Sequence, residues 1–516
     1  MIRRAAPIVL AVTSLLFLAP GRAGATSWYV DNTASGGAKN GTSWANAWTS
    51  FASVAWSSIQ PGDTLYISGG STSQTYTESW TISRSGSAAQ PIVISAGQDA
   101  GHNGLVTFDY NADGDSSTRT AITINQDYIT LTGNVSGANH IQIVNLRNTS
   151  DRRSSVGIAG TSNTGVIVDH VTFLNDNNPI RFDYANGVTV RNCSFVQLRG
   201  DAGIAMNASA GTWDNNQIYG NYIEPMVDAG VGGPDGIQGA SGISIYNNTV
   251  KEVTTSTYTS TQHPDMMQIT GDYIKVYNND FINVGDSVFD HDCYADSNPH
   301  DIWIYNNTFR IVTTIDIYPE YFRLYASSGS VSSLTNIKLF NNTFIDNNYS
   351  YGRVIRFDSF NGNPTASGIE LKNNIWYNAG NNAPGPALWI DDSTGFTSSS
   401  FSLDYNIYYQ SSGSTYIQFR GASYTAASWI ASHEPHSKTA QPLFVSYAPS
   451  GTGNDLHLQS SDSAAKDAGV SLSSYFTTDH DGVIRPQGPG WDIGAFEASV
   501  SSSGPLPPTS PLAIVR

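Results

Sequence analysis

The sequence contains 516 residues, only 13% of which are charged, and its formal net charge is −17. Such an acidic chain is a poor partner for nucleic acid or for an anionic membrane surface, because both are negatively charged. Its two cysteines, Cys193 and Cys293, exclude the dense disulfide framework found in many small exported proteins. We therefore expect neither a nucleic acid nor a membrane as partner.

The chain begins with the features of a secretory signal peptide. Arg3 and Arg4 precede an apolar run from Pro7 to Leu18, and the small residues Ala23-Gly24-Ala25 follow. This order is typical of a cleaved export signal, and the apolar run is too short to span a bilayer. We expect cleavage near Ala25, after residues 1–25, and a secreted, soluble, monomeric product.

A repeated phrase dominates the middle of the chain. Apolar residues alternate with polar ones, and Asn-Asn, one further residue and another apolar residue follow, as in Ile243-Ser-Ile-Tyr-Asn-Asn-Thr-Val250. Alternation with a period of two is typical of a β-strand. The second Asn of the successive copies falls at Asn221, Asn248, Asn279, Asn307, Asn342, Asn374 and Asn406.

The intervals between these asparagines range from 27 to 35 residues. A constant phrase with variable spacing indicates a solenoid, because each coil keeps its strands and varies its loops. Asn suits the bend after the strand, since it tolerates the left-handed conformation and forms hydrogen bonds with its neighbours. We expect the second Asn of every copy to stack in one ladder. Cys193 occupies this position in a weaker copy, which predicts a small buried residue.

The phrase resembles the parallel β-helix repeat of the pectate-lyase-like superfamily, from about Ile141 to Asn406. Trp28-Tyr-Val-Asp31 resembles the N-terminal cap, and Trp491-Asp-Ile-Gly-Ala-Phe-Glu497 resembles the closing segment of secreted bacterial β-helix proteins. The resemblance implies an all-β fold, a single-stranded right-handed parallel β-helix. This superfamily includes lyases, hydrolases, epimerases, esterases and phage spikes, so the resemblance does not determine the activity. The implied regions are a cap at 26–61, the helix at 62–445, an irregular closing segment at 446–500 and a disordered Pro-rich tail at 501–516.

A second, less regular phrase precedes each Asn phrase and supplies the candidate site. If its central apolar residue points inward, the next residue points outward on every coil. A slip of one residue would turn the whole set inward. The first outward column reads Arg181, Ala205, Gln238, Gln268, Asp290, Arg323 and Arg356. The second reads Asp183, Asn207, Ala240, Thr270, Asp292, Tyr325 and Asp358.

Ionisable residues concentrate between 263 and 358, which predicts one groove on this sheet. His291 is the exception within the set, because it alternates with Asp290 and Asp292 and would point inward on a regular strand. The candidate catalytic residues are Asp265, Asp290, His291, Asp292, Arg323 and Tyr325. The candidate substrate-binding residues are His263, Gln238, Gln268, Arg356, Arg181 and Glu320.

Elimination from a uronic acid is the first of two reactions that suit these residues. It needs the substrate carboxylate neutralised, by Arg323 or by a calcium ion held by Asp290 and Asp292. It also needs groups that move protons, for which His291, His263, Tyr325 or an arginine are candidates.

Hydrolysis is the second reaction. It needs two carboxyl groups, about 5–5.5 Å apart for retention or about 6.5–9.5 Å apart for inversion. Asp265, Asp290 and Asp292 could supply them. The aspartate motifs of polygalacturonases and the basic signature of pectate lyases are both missing. We favour a polysaccharide lyase acting on an extracellular uronic-acid glycan. A glycoside hydrolase, a C5-epimerase and a non-catalytic glycan-binding β-helix are the alternatives.

Overall fold

A computed structural model describes residues 24–110, 119–147, 155–208, 212–226, 235–253, 265–284, 286–292, 298–311, 320–325, 331–346, 355–358, 364–378, 386–390, 396–411, 416–448 and 454–498. These residues form a right-handed parallel β-helix, in which successive coils add strands to three long sheets. Residues 1–23 of the signal peptide predicted at 1–25, the tail at 501–516, His263 and Cys293 lie outside the described residues.

The three sheets are parallel along almost their whole length. The first contains Ser27–Val30, Thr64–Ile67, Ile92–Ala96, Ile129–Thr132, Ile167–Asp169, Thr189–Arg191, Asn216–Tyr219, Ile243–Tyr246, Ile274–Tyr277, His300–Tyr305, Ser333–Phe340, Thr365–Ser367, Ile369–Lys372 and Phe401–Asp404. The second contains Ser73–Tyr76, Leu105–Asp109, Ile141–Val144, Val171–Leu174, Ser194–Leu198, Tyr222–Met226, Thr249–Val253, Asp280–Val284, Thr308–Ile311, Thr343–Asp346, Ile375–Asn378 and Ile407–Gln410. The third contains Trp80–Ile82, Thr120–Ile124, Val156–Thr161, Asn178–Ala185, Ala202–Ala208, Asp235–Gly239, Met267–Ile269, Ser287–Asp292, Glu320–Tyr325, Ile355–Asp358, Leu388–Ile390, Tyr416–Phe419 and Ala422–Thr425.

Short elements complete the fold. Two small antiparallel pairs join Asn134–Val135 to Ala138–Asn139 and Phe444–Ser446 to Asp455–Leu458. The helical segments are the 3₁₀ turns Trp44–Asn46, Phe51–Ser53 and Ser398–Ser400 and the α-helix Ala426–His433. None of the described helices has the length and apolar character needed to cross a bilayer.

The interior of the helix is filled by the alternate apolar residues of each phrase. On the second sheet, Phe281 stacks on Phe309, Phe309 on Phe344 and Phe344 on Trp376, with ring centroids 4.7–5.5 Å apart. Equivalent residues on neighbouring coils thus pack face to face, which is favourable for aromatic rings. The predicted inward column of the third sheet is buried throughout: Ile180, Ile204, Ile237, Met267, Phe289, Phe322 and Ile355.

The predicted asparagine ladder is confirmed. The Nδ2 of Asn248 donates to Asn279 Oδ1, that of Asn279 donates to Asn307 Oδ1, and that of Asn307 donates to Asn342 Oδ1, each at 3.0 Å. The ladder ends where Asn406 Nδ2 donates to the buried carboxylate of Glu434, at 3.0 Å. The first Asn of each pair takes the left-handed bend; for example, φ is 54° at Asn247 and 55° at Asn278.

Cys193 is buried at the ladder position of its coil, as predicted, and its backbone N–H donates to Asn221 Oδ1 at 2.9 Å. The closing segment also contacts the coils, since Asn341 Nδ2 donates to the backbone oxygens of Asp492 and Gly494. These contacts lie at the bend between the first and second sheets. The third sheet, which carries the candidate site, is a separate face.

Candidate functional site on the third sheet

The predicted register of the third sheet is confirmed. Arg181 pairs with Ala205, Ala205 with Gln238, Gln238 with Gln268, Gln268 with Asp290, Asp290 with Arg323 and Arg323 with Arg356. One column of outward positions therefore runs along the sheet, as the alternation of the phrase requires. Neighbouring positions lie on coils about 4.8 Å apart.

Arg323 and Asp290 form the centre of the site. Arg323 Nε donates to Asp290 Oδ1 at 2.9 Å, and its Nη2 donates to Asp290 Oδ2 at 3.1 Å. Such a two-point contact is among the strongest side-chain pairings, because both groups are charged and planar. The Asp290 side chain is fully buried and that of Arg323 is 13% exposed. Burial alone would lower the pKa of Arg323, but Asp290 and then Asp286 outweigh it and raise that pKa.

Glu320 lies at the start of the same strand as Arg323, and its carboxyl group is shared between two arginines. Arg356 Nη1 donates to Glu320 Oε1 at 3.0 Å, and Arg323 Nε lies 3.7 Å from Glu320 Oε2. Oε2 is buried and has no hydrogen-bond partner among the described residues. Burial raises the pKa of Glu320 to about 7, although Arg356 and Arg323 pull it down. A carboxyl group that gains and loses a proton near neutral pH suits general acid catalysis.

Asp265 lies at the corner where the chain enters the third sheet, in a column with Asp235, Ser287 and Glu320. Asp235 Oδ1 accepts the backbone N–H of Asp265 at 3.1 Å, and Asp265 Oδ1 accepts that of Ser287 at 3.0 Å. Asp265 is fully buried, and its charge contributes to the raised pKa of Arg323. Asp265 therefore has a structural role, because it caps the backbone N–H of the next coil. It also lies near the central pair of Arg323 and Asp290.

His291 faces the interior of the helix. It is fully buried, its ring stacks near Phe289 at 6.5 Å, and its Nε2 donates to the backbone oxygen of Gly271 at 2.9 Å. Strict alternation along Ser287–Asp292 explains this orientation, because Asp290 and His291 lie on opposite faces. We therefore leave His291 out of the proposed catalytic set.

The second outward column is only partly described. Asp292, Tyr325 and Asp358 are in register on adjacent strands, but the side chains of Asp292 and Asp358 lie outside the described residues. The guanidinium carbon of Arg323 lies 4.2 Å from the centre of the Tyr325 ring. This contact places Tyr325 against the central pair.

Arg181 lies apart from the cluster. It is four coils from Asp290 in the column, roughly 19 Å at 4.8 Å per coil. Its Nε donates to the half-buried Asp183 at 3.0 Å, and half of its side chain is exposed. A substrate would have to extend over several coils to reach both Arg181 and the central pair.

Asp286 was missed by the sequence reasoning. Its Oδ2 lies 3.6 Å from Arg323 Nη1, and its side chain is 10% exposed. It precedes the strand Ser287–Asp292 and belongs to neither outward column, so alternation could not select it. The available signal was its position directly before a strand that carries two further aspartates.

Asp290 does not fit a calcium ligand in this arrangement. Calcium requires about six to eight oxygen ligands, whereas both Asp290 oxygens already accept hydrogen bonds from Arg323. Among the residues that the structure describes, no group of three or more His, Cys, Asp or Glu side chains could hold a metal ion. Calcium binding by Asp290 and Asp292 stays a prediction.

Comparison with known proteins finds similarity at the level of the fold. No family model and no curated protein matches the sequence. A solved structure described as XylC in complex with xylose has a TM-score of 0.54 at 10% identity, covering 92% of this chain and 99% of that one. Pectate lyase Pel9A has a TM-score of 0.48 at 16% identity, covering 93% and 98%. A GH136 lacto-N-biosidase from Eubacterium ramulus has a TM-score of 0.45 at 13% identity, covering 74% and 67%. At 10% identity the likeness to the XylC structure concerns the fold alone.

Proposed function

We propose that this chain is a secreted enzyme that hydrolyses glycosidic bonds in an extracellular polysaccharide, with the third-sheet cluster as its catalytic centre. The observation that carries the proposal is that two carboxyl groups, those of Glu320 and Asp290, lie within 4 Å of the same Arg323 Nε. Burial also raises the pKa of the Glu320 carboxyl group to about 7. It lies beside a second carboxyl group, Asp290, that is paired with a guanidinium. Two carboxyl groups in different environments are the usual requirement for glycoside hydrolysis.

Glu320 is assigned as the general acid. In its protonated form it donates a proton to the leaving glycosidic oxygen, and burial keeps that form populated near neutral pH. Oε2 is buried and makes no hydrogen bond among the described residues, so a proton on it is not shared with another described protein group.

Asp290 is assigned as the second carboxylate, which acts either on water or on the anomeric carbon. Its two contacts with Arg323 fix its orientation. A carboxylate oxygen keeps acceptor capacity beyond one hydrogen bond, so the two contacts with Arg323 do not use all the lone pairs of the buried Asp290. Arg323 thus positions Asp290, and Tyr325 packs on Arg323.

Elimination is the second candidate, and one observation favours it. Arg323 and Arg356 present two guanidinium groups on adjacent coils, which is an arrangement suited to a substrate carboxylate. Arg323, however, is already paired with Asp290 and lies near Asp286 and Glu320. A uronate would have to replace these partners. We therefore place hydrolysis first.

A panel of acidic and neutral polysaccharides separates the candidates. Hydrolysis releases reducing ends without new absorbance near 235 nm, whereas elimination produces both, because it creates an unsaturated uronate. Release of reducing ends alone, lost in Glu320→Gln, is the expected result. Absorbance together with reducing ends would replace hydrolysis by elimination. The absence of both signals would leave epimerisation or glycan binding, and would contradict cleavage.

Two further expectations belong to the same proposal. Export predicts a mature protein whose intact mass corresponds to cleavage near Ala25, and a product that retains Met1 would contradict it. Hydrolysis by two carboxyl groups uses no metal ion, so we expect a chelator to leave the activity unchanged. Calcium held by Asp290 and Asp292 belongs to the alternative elimination, and it predicts an activity that a chelator lowers and added calcium restores. An activity unchanged by chelation would remove calcium from the account.

A further inference from the structure

The third-sheet strand that ends at Ala185 contains a β-bulge. Its pairing with the strand of the next coil shifts between Phe182 and Ala185, where two residues, Asp183 and Tyr184, lie opposite the single Asn207. Strict alternation from the buried Phe182 would turn Tyr184 into the interior. The extra residue places Ala185 there instead, fully buried, and leaves Tyr184 outside, 62% exposed. Bulges re-aim side chains in this way and are frequent beside functional sites.

The backbone at the bulge does not require a tyrosine. Tyr184 has a φ of 57°, in the left-handed region where a bulky residue is unusual. On the preceding coil Thr161 pairs with Asp183, so Ser162 occupies the position of Tyr184, and its φ is also 57°. A small polar residue therefore forms the same bend, and the aromatic ring adds nothing to the backbone conformation.

The Tyr184 ring also lacks a packing partner. Other tyrosines in left-handed bends are packed against rings: Tyr273 lies edge-on to Trp213 with centroids 5.6 Å apart, and Tyr405 stacks on His436 at 4.6 Å. Tyr184 makes neither a ring contact nor a side-chain hydrogen bond with any residue that the structure describes. Its ring is therefore exposed without contributing to the packing of these residues.

Polar groups with unused hydrogen-bonding capacity flank the ring. Asp183 accepts hydrogen bonds from Arg181 Nε and from Asn207 Nδ2, both at 3.0 Å, and so fixes the guanidinium and amide groups. Half of the Arg181 side chain is exposed, and Asn207 is exposed as well. The Nη groups of Arg181 and the Oδ1 of Asn207 bond no residue within the described part of the chain. They can therefore donate and accept hydrogen bonds from a ligand.

We propose that Tyr184, Arg181 and Asn207 form a glycan subsite, in which the tyrosine ring stacks on a pyranose ring. A pyranose ring carries C–H groups on its faces, and these are attracted to the negative face of an aromatic ring. Its hydroxyl groups lie around its edge and match the guanidinium and amide groups. The subsite lies four coils from Asp290, roughly 19 Å. The inference rests on the proposed action on an extracellular polysaccharide and adds a site that holds the chain away from the cleaved bond.

A sugar suits this surface better than a protein does. A protein partner would need a contiguous apolar patch. The other large apolar side chains that are exposed among the described residues are Leu443, Val445 and Ile484, which follow the last strand of the third sheet in the chain. A single ring among polar groups offers little apolar area, but it is large enough for one sugar unit.

The test measures the retention of the full-length mature protein in native gels that contain xylan, galactan, polygalacturonate or alginate. Every variant carries Glu320→Gln, so that the polysaccharide is not consumed. Tyr184→Ser removes the ring and introduces the residue type that forms the same bend on the preceding coil. Tyr184→Phe keeps the ring. Ile484→Ser is the matched control, because it removes another exposed apolar side chain, 66% exposed, outside the third sheet. Cleavage of the same polysaccharides is measured in parallel with Glu320 intact.

We expect at least one polysaccharide to retain the protein, and Tyr184→Ser to raise the Kd about tenfold or more while Tyr184→Phe and Ile484→Ser leave it within about twofold. An effect of Tyr184→Ser below about twofold would overturn the inference, and so would an equal loss in either control. A dimer in sedimentation velocity that Tyr184→Ser dissociates, without a change in retention, would make Tyr184 a contact between copies instead.

The two proposals can fail separately. Retention that depends on Tyr184 without any cleavage would keep the subsite and contradict the proposed hydrolysis. Cleavage that depends on Glu320, with no polysaccharide retaining the protein, would keep the proposed function and overturn the subsite. A panel that is neither retained nor cleaved would overturn both.

Discussion

Two columns of buried polar side chains run along different corners of this β-helix, and they differ in their hydrogen-bond partners. At the bend between the first and second sheets, each ladder asparagine donates to the next one, as Asn279 does to Asn307. At the corner before the third sheet, Asp235 and Asp265 accept backbone N–H groups of the next coil. That column then stops: the buried Ser287 hydroxyl makes no hydrogen bond with any residue that the structure describes, and Glu320 contacts Arg356 instead.

The difference follows from the chemistry of the two side chains. An amide donates and accepts, so identical residues can satisfy one another along any number of coils. A carboxylate only accepts, so a column of acids cannot continue itself and needs cations for its remaining charge. A neutral ladder therefore stabilises the fold, whereas the acidic column leaves a carboxyl group, Glu320, with a strongly perturbed pKa. Perturbed groups of this kind concentrate at functional sites.

Glu320→Gln should have the largest effect on activity. The amide keeps the shape of the side chain but cannot deliver a proton, and general acid catalysis contributes about 10²–10⁴-fold. We expect a loss of that size in kcat with a melting temperature close to that of the wild type. The matched control is Glu370→Gln on the first sheet, where Glu370 contacts Lys338 and Lys372. Equal losses in both variants would contradict the assignment.

Asn307→Leu should have the largest effect on stability. It leaves the backbone N–H of Asn279 without the Oδ1 that it donates to, while Asn279 Nδ2 loses one acceptor and keeps the backbone oxygens of Ile245 and Tyr277. Each buried group left unsatisfied costs about 1–3 kcal/mol. The measurement is denaturant unfolding, with Asn207→Ala as the control, because Asn207 is exposed and bonds only Asp183 among the described residues. An unchanged free energy of unfolding would show that the ladder is not a stabilising element.

The two columns should also differ in how the free energy of unfolding depends on pH, because the asparagine amides do not titrate and Glu320 does. Glu320 has a pKa of about 7 in the folded protein against 4.5 as its ordinary value. The unfolded chain therefore releases this proton first, and the stability contributed by the protonated form is lost as pH rises from about 4.5 through 7. The wild type should lose on the order of 1–3 kcal/mol relative to Glu320→Gln over that range. Parallel stability curves for the two proteins would indicate an ordinary pKa.

Asp265→Asn should have the smallest effect. The amide oxygen still accepts the N–H of Ser287, which Asp265 Oδ1 accepts at 3.0 Å. Only the charge near Arg323 is removed. We expect a melting temperature within a few degrees of the wild type and a loss of kcat below about tenfold, well short of the range for a general acid. A loss as large as that of Glu320→Gln would make Asp265 a catalytic residue.

Much of this geometry could be predicted from the sequence, because a solenoid repeats its local pattern. The Asn phrase predicted the ladder, and strand alternation predicted the pairing of Asp290 with Arg323 across adjacent coils. Alternation also indicated that His291 would point inward, although it was included among the catalytic candidates.

The roles within the site could not be predicted in the same way. The strand register determines which residues line up in a column. The burial of each side chain and its hydrogen-bond partners depend on side-chain conformations, which the repeat does not determine. The sequence predicts Asp290 as a calcium ligand. In the structure, both of its carboxylate oxygens accept hydrogen bonds from Arg323 instead. The sequence groups Glu320 with the substrate contacts, since nothing in its position at the start of the strand reveals that its carboxyl group is buried between two arginines.

Infrared difference spectroscopy tests directly whether Glu320 holds a proton near neutral pH. Spectra of the wild type and of Glu320→Gln are recorded in the full-length mature protein from about pH 5 to pH 9, a range that brackets the expected ionisation. The account predicts a carbonyl band of a protonated carboxylic acid that is present only in the wild type. This band should disappear with a midpoint near the pKa of about 7 assigned to Glu320. The absence of such a band at about pH 6 would mean that Glu320 is already ionised, and it could not then act as the general acid.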